Sequence, residues 1–222
     1  MSETKKGLYV VFTGAPGCGK GTQARILKEK THICHLSTGE MLREYAAQDT
    51  PLGRDLKALL DRGEFATDEM IIEMVRNRIG QPDCEHGFIL DGFPRTLPQA
   101  EILESLLAEK GIKLTCVLEI QVPDEIIMER ILGRYSCLKC GAGYHDKFQK
   151  PKVYGVCDVC GGTEFGRRKD DNRATVQNRL VNYRLLTYPT IPFFEKRGLL
   201  RTVDGTGTID AVSHKIDEIL EI

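Results

Sequence analysis

The chain has 222 residues, 41% of them hydrophobic and 28% charged, the balance of a soluble globular protein with one substantial core. Its formal net charge of -1 argues against a polyanion such as DNA as the main partner, and no stretch approaches the roughly 18 uninterrupted apolar residues of a membrane span. Residues 1–6 are polar and carry no apolar signal core, so a cytoplasmic enzyme is the expectation.

Residues 8–12 are a short, continuous apolar run and predict a buried parallel strand. Behind it come Gly14, Ala15, Pro16, Gly17, Cys18, Gly19, Lys20, Gly21 and Thr22, in which Gly14, Gly19 and Lys20 fit the phosphate-loop pattern G-x-x-x-x-G-K. The glycines let successive amides turn towards a polyphosphate, a helix over 20–30 adds its positive end, and Lys20 reaches the outer phosphates. Gly21 stands where Ser or Thr usually follows the lysine, with Thr22 one residue later. A Gly-rich turn alone has the same composition, but strand, loop, lysine and helix in this order point to a nucleoside triphosphate.

Residues 37 to about 67 hold helical patterns with few large apolar side chains. Ser37 or Thr38 can cap a helix whose N-terminus faces an anion, and Arg43, about a turn further, suits a second phosphate group. A second buried strand at 88–90 runs into Asp91, which at that position can hold Mg2+ directly or through water, or merely cap the turn. Pro94 stiffens the chain before Arg95, whose planar fork suits a phosphate. A helix over 97–109 carries Ala100, Leu103, Leu106 and Leu107 at helical spacing; a strand at 114–122 and a helix from 124 to about 134 follow.

Arg130 and Arg134 are four apart, which would set them on one helix face about 6 Å apart along the axis. A solvated basic face is the usual reason for such a pair. Arg168 and Arg179 beyond the next segment favour a phosphate clamp. That segment contains Cys137, Cys140, Cys157 and Cys160, two C-x-x-C units each followed by a glycine, Gly141 and Gly161. The spacing suits a tetrahedral structural Zn2+ better than redox pairs or core cysteines. About 35 residues cannot support a core of their own, so metal binding and folding would be one event there. Four thiolates plus Zn2+ would move the formal charge from -1 to -3. Helix is expected from 175 to 195 until Pro189 and Pro192 interrupt it, then a strand at 199–203 and a last helix with Ile209, Val212, Ile216 and Ile219 in one stripe. Strand and helix thus alternate as in an α/β doubly wound parallel sheet, with two insertions at its ligand-binding end.

Taken together, GAPGCGKGTQ, STGEMLR, DGFPRT-x-x-Q, the four cysteines and RKDD resemble the adenylate kinase family, in its long form with a zinc-bearing lid, over essentially everything after the N-terminal tail. The resemblance implies a P-loop kinase fold with a core of residues 1–36, 68–133 and 171–222, an AMP-binding insertion at 37–67 and a lid at 134–170. It implies that residues 14–22, with Arg130 and Arg134, hold ATP, and that Thr38, Arg43, Arg95, Gln99, Arg168 and Arg179 hold AMP. Gln99 would read the adenine edge. Lys20, Arg95, Arg130, Arg134, Arg168 and Arg179 would act on the transferred phosphoryl group, with Asp91 near the Mg2+ hydration shell. The choice of Arg168 over adjacent Arg167 rests on its spacing from Asp170 and Asp171. The implied reaction is reversible transfer from Mg-ATP to AMP giving two ADP, by a monomer without nucleic-acid or membrane partners.

Two other readings remain. A kinase for UMP, CMP or GMP is opposed by Gln99 and the long cysteine lid, through resemblance. A nucleotide-switched regulator with a nucleic-acid-binding zinc ribbon would need a basic, aromatic-rich ribbon surface. Lys139, Lys147, Lys150 and Lys152 are instead diluted by Asp146 and Asp158, and no N-K-x-D guanine motif occurs.

Overall fold

The structure, a computed structural model, describes residues 7–62, 64 and 66–222; the polar tail of residues 1–6 lies outside them. In chain order the first elements are β1 (Leu8–Thr13), α1 (Lys20–Thr31), β2 (Cys34–Ser37), α2 (Thr38–Ala46), α3 (Pro51–Arg62), α4 (Asp68–Ile79), β3 (Gly87–Asp91), α5 (Leu97–Glu109), β4 (Cys116–Gln121) and α6 (Asp124–Leu132). They are followed by β5 (Arg134–Cys137), β6 (Gly143–His145), β7 (Phe165–Gly166), α7 (Arg173–Asn182), α8 (Thr190–Glu195), β8 (Leu200–Asp204) and α9 (Ile209–Leu220).

The main sheet is parallel throughout, in the order β2-β3-β1-β4-β8. Strand side chains alternate between its faces. Val11, Phe88, Leu90 and Val117 pack on one side with Val75 of α4 and Leu103 and Leu106 of α5. Val10, Phe12, Ile89, Leu118 and Ile120 pack on the other with Ala24 and Leu27 of α1 and Val212 and Ile216 of α9. Burial on both faces is why β1, β3 and β4 read as continuous apolar runs.

The edge strand β2 was not legible in that way, because of its four residues only Leu36 is buried. Nor was α4, whose core stripe is just Ile71, Val75 and Ile79. Three expectations need correction. Helix α6 ends at Leu132 with Gly133 as its cap, so Arg134 opens a strand and does not share a helix face with Arg130. Helix α7 begins at Arg173, behind Asn172, whose side chain accepts from Thr175 N. It gives way to a π-helical turn at Tyr183–Thr187, before Pro189, with Tyr188 N donating to Tyr183 O at 2.8 Å. Pro192 then sits in the first turn of α8, where a missing N–H costs nothing. In α9, Leu220 is buried beside Val212 and Ile216, and Ile219 only partly.

The cysteine segment forms its own antiparallel sheet, β6-β5-β7, with Tyr135, Tyr144 and Phe165 packed as an aromatic cluster. The other insertion is fastened to the body through α7. Thr175 Oγ1 donates to Asp61 O at 3.3 Å and Asn178 Nδ2 to Arg62 O at 2.7 Å, satisfying carbonyls left open at the end of α3.

Leu118 is fully buried at the centre of β4. Leu118→Ala should cost about 3 kcal/mol, read as a lower urea midpoint at unchanged denaturant slope.

Candidate active site

Strands β1, β3 and β4 deliver their chain to the same end of the sheet, and the chemistry-bearing residues collect there. The loop after β1 opens with Gly14 at φ 133°, where an added Cβ would lie 2.5 Å from Ile120 O, so the turn excludes any larger residue. Lys20 Nζ donates to Gly14 O at 2.7 Å and Ala15 O at 2.9 Å, which holds the ammonium across the loop mouth. A cavity of about 1170 Å3 is lined by Gly14, Pro16, Gly17, Cys18, Gly19, Lys20, Gly21 and Thr22 on this side. Ala15 turns away from it into an apolar cluster with Ile127, Ile131 and Val176.

Asp91, at the end of β3, faces the loop. Burial pushes its carboxyl up, but a contact of 3.4 Å with His35 Nε2 and the charges of Lys20 and Arg95 outweigh this and hold it below the usual carboxylate range. It is therefore an anion at neutral pH. A Cβ at Gly21 would stand 3.5 Å from Asp91 Oδ2 and fill the room beside the carboxylate. A hard, oxygen-seeking hydrated cation fits that donor and that space.

The same cavity is lined by Thr38, Arg43, Arg95, Gln99, Arg130, Arg134, Arg168 and Arg179. Ser37 caps α2, accepting from Glu40 N, and Thr38 Oγ1 donates to Gly92 O at 2.9 Å. Arg130 donates to Cys18 O and Gly205 O. Arg134 grips Asp171 with two bonds of 2.5 and 2.6 Å, and Arg179 reaches Asp170 at 3.1 Å. Neither Arg43 nor Arg168 forms an ion pair with another described residue. Burial first, then the neighbouring Arg134 and Arg43, pushes Arg168 down to about 10; burial and Arg179 push Arg95 down to about 10 as well. Burial also lowers Arg43 and Arg179. Arg167 points elsewhere, to Asp146 and the carbonyls of Leu132 and Arg134.

Several partnerships in this site could not be read from the motifs. Asp171, only 3% exposed at its side chain, anchors Arg134. Asp68 bonds Gln99, and the turn 205–208 after β8 lines the phosphate-loop side. Arg25 of α1 donates to Gly141 O at 3.2 Å, tying the cysteine segment to the helix that follows the phosphate loop.

The sulfurs of Cys137, Cys140, Cys157 and Cys160 lie within 4.8 Å of one another, with Cys137–Cys160 at 3.7 Å and Cys140–Cys157 at 3.6 Å. Sulfurs in a tetrahedron 2.3 Å from Zn2+ stand about 3.8 Å apart, so the set fits that ion. Gly141 and Gly161, at φ 73° and 69°, make the turns the sequence required. Tyr144 Oη donates to Cys157 Sγ and accepts from Asp158 N, steadying the cluster from outside.

A phosphate loop at the head of a parallel sheet, facing a ring of arginines carried partly on insertions, defines a P-loop nucleotide kinase. A sequence profile described as adenylate kinase matches residues 12–199. The chain is 50% identical over 214 residues to the adenylate kinase of Paramagnetospirillum magneticum, covering 96% of this chain and 99% of that protein. It is also 50% identical over 213 residues to that of Allorhizobium ampelinum (96% and 99% covered), and 49% identical over 214 residues to that of Carboxydothermus hydrogenoformans (96% and 100% covered). The chain belongs to the adenylate kinase family.

Two outcomes follow from this geometry. Arg168→Met removes a half-buried, repelled charge and should raise the thermal midpoint of the ligand-free protein by about 2–4 °C, while shrinking the further rise that added ADP produces. Where Zn2+ occupies the four-cysteine set, its chelation should make the cysteine segment the first site of limited proteolysis, with the main sheet still intact by circular dichroism.

Proposed function

We propose that the protein catalyses reversible phosphoryl transfer from ATP to AMP, giving two ADP. The observation that carries this reading is the single cavity in which the phosphate loop and a second set of anion-binding residues face each other across Asp91 and the arginines. Residues 14–22 would hold the donor phosphates with Arg130 and Arg134. Thr38, Arg43, Arg95 and Gln99 would hold AMP with Arg168 and Arg179. The division into a core (1–36, 68–133 and 171–222), an AMP-binding insertion (37–67) and a zinc-bearing lid (134–170) belongs to the same reading, as does a monomer acting in the cytoplasm. No described helix is long and apolar enough to cross a membrane.

The acceptor phosphate is already an anion, so no side chain has to remove a proton. The work left is alignment, charge neutralisation and exclusion of water. Lys20, pivoting from the loop carbonyls, would follow charge onto the transferred group. Arg134 and Arg179, held by Asp170 and Asp171, would meet that group from the opposite side. Mg2+, arriving with ATP, would be held near Asp91 and would neutralise phosphate charge; the closed four-cysteine Zn2+ site would be structural only. The lid both carries arginine and covers the cavity, so its opening is expected to limit turnover.

The decisive measurement is the initial rate of ADP formation from Mg-ATP with AMP, GMP, CMP and UMP offered separately. Selective turnover with AMP is the expected result. Preference for another monophosphate would overturn the acceptor assignment, and no transfer at all would overturn the reaction. In the same assay Arg168→Met should lower kcat by about 10² or more while leaving ATP affinity nearly unchanged.

A further inference from the structure

Gln99 is 2% exposed, in the first turn of α5, and its amide is held from behind at both ends. Its Oε1 accepts from the Arg95 backbone N–H at 2.7 Å, and its Nε2 donates to Asp68 Oδ1 at 2.6 Å. A backbone N–H can only donate and an ionised carboxylate can only accept, so the amide has one permitted orientation. Turned over, it would set oxygen against carboxylate and N–H against N–H. Asp68 is in turn fixed by Thr96 Oγ1, which donates to Oδ2 at 3.0 Å, and by its place as the first residue of α4. Asp68 does not line the cavity, whereas Gln99 does.

An amide has two N–H donors and two lone pairs, so after these bonds one of each remains. We propose that Asp68 is the positioning residue that fixes which of the two faces which way in the cavity, and so selects a base offering a donor beside a ring-nitrogen acceptor, as adenine does, over one with that order inverted. Guanine and hypoxanthine present an oxygen acceptor beside a ring N–H donor, the reverse of adenine's amino group and N1. A freely flipping glutamine would serve both patterns. A glutamine locked from behind serves one, and the wrong base leaves buried polar groups facing their own kind, a mismatch that discriminates strongly. The inference rests on the reading of Gln99 as the residue that meets the acceptor base.

The test compares AMP with IMP, which differ at this edge alone, in the full-length zinc-loaded enzyme. Asp68→Ala should raise KM for AMP about tenfold and narrow the AMP-over-IMP ratio of kcat/KM by a similar factor, with KM for ATP within about twofold of the parent. Asp68→Asn should keep most of the ratio, since its carbonyl still accepts from Gln99 Nε2. An unchanged ratio in Asp68→Ala overturns the proposal, as does a parallel rise in KM for AMP and ATP with the ratio preserved. Gln99→Leu separates the two levels. If it leaves KM for AMP unchanged, the underlying assignment of Gln99 falls; if it raises KM while Asp68→Ala does not, only the role of Asp68 falls.

Discussion

Arg43, Arg95, Arg168 and Arg179 are all held below the ordinary guanidinium range, first by burial and then by repulsion among themselves or from Arg134. Asp170 and Asp171 offset part of this, and are fully engaged in doing so by Arg134 and Arg179. Such a cluster is a net cost to the folded chain by itself, because desolvated like charges gain nothing from one another. Phosphate groups among them would add the attraction that the cluster lacks and offset that cost. The remaining architecture makes sense as a frame for that cluster: a sheet buried on both faces to resist it, and capped helices that bring its members in from separate parts of the chain.

The cysteine segment solves a different problem. Its sheet is small, and its packed apolar cluster amounts to three aromatic rings, Ala142 and three of the cysteines. A Zn2+ held by four thiolates would give it rigidity without enlarging it. Rigidity matters because Arg134 lies at its first residue and Arg168 just beyond its last strand, so a loose segment would blur the positions of both. The adjacent Arg167 is spent locally, pinning Asp146 and stacking 5.5 Å from the Tyr135 ring.

Much of this was legible in the sequence because the informative groups are contiguous. The loop from Gly14 to Thr22, the strand running into Asp91 and the paired cysteines each carry their geometry in their own spacing. What escaped was set by tertiary context. Strand β2 has one buried residue and becomes a strand only because β3 offers an edge to pair with. Helical spacing put Arg134 on the wrong element, since Gly133 ends the helix one residue earlier. Asp68 lies 31 residues from Gln99, and Asp171 lies 37 from Arg134, so neither partnership leaves a local signature.

Helix α7 holds the last carbonyls of α3 through Thr175 and Asn178, and it carries Arg179, which pairs with Asp170 and with Asp171, the aspartate that also receives Arg134. One helix is therefore attached both to the end of α3 and, through Asp171 and Arg134, to the cysteine segment. Coupling through such an element is reciprocal by thermodynamic necessity. If occupancy of one pocket shifts α7 and tightens the other by some factor, occupancy of the second must tighten the first by that same factor. The order in which the two substrates arrive would then be immaterial to the stability of the ternary state, and neither site would have an affinity that can be tuned in isolation.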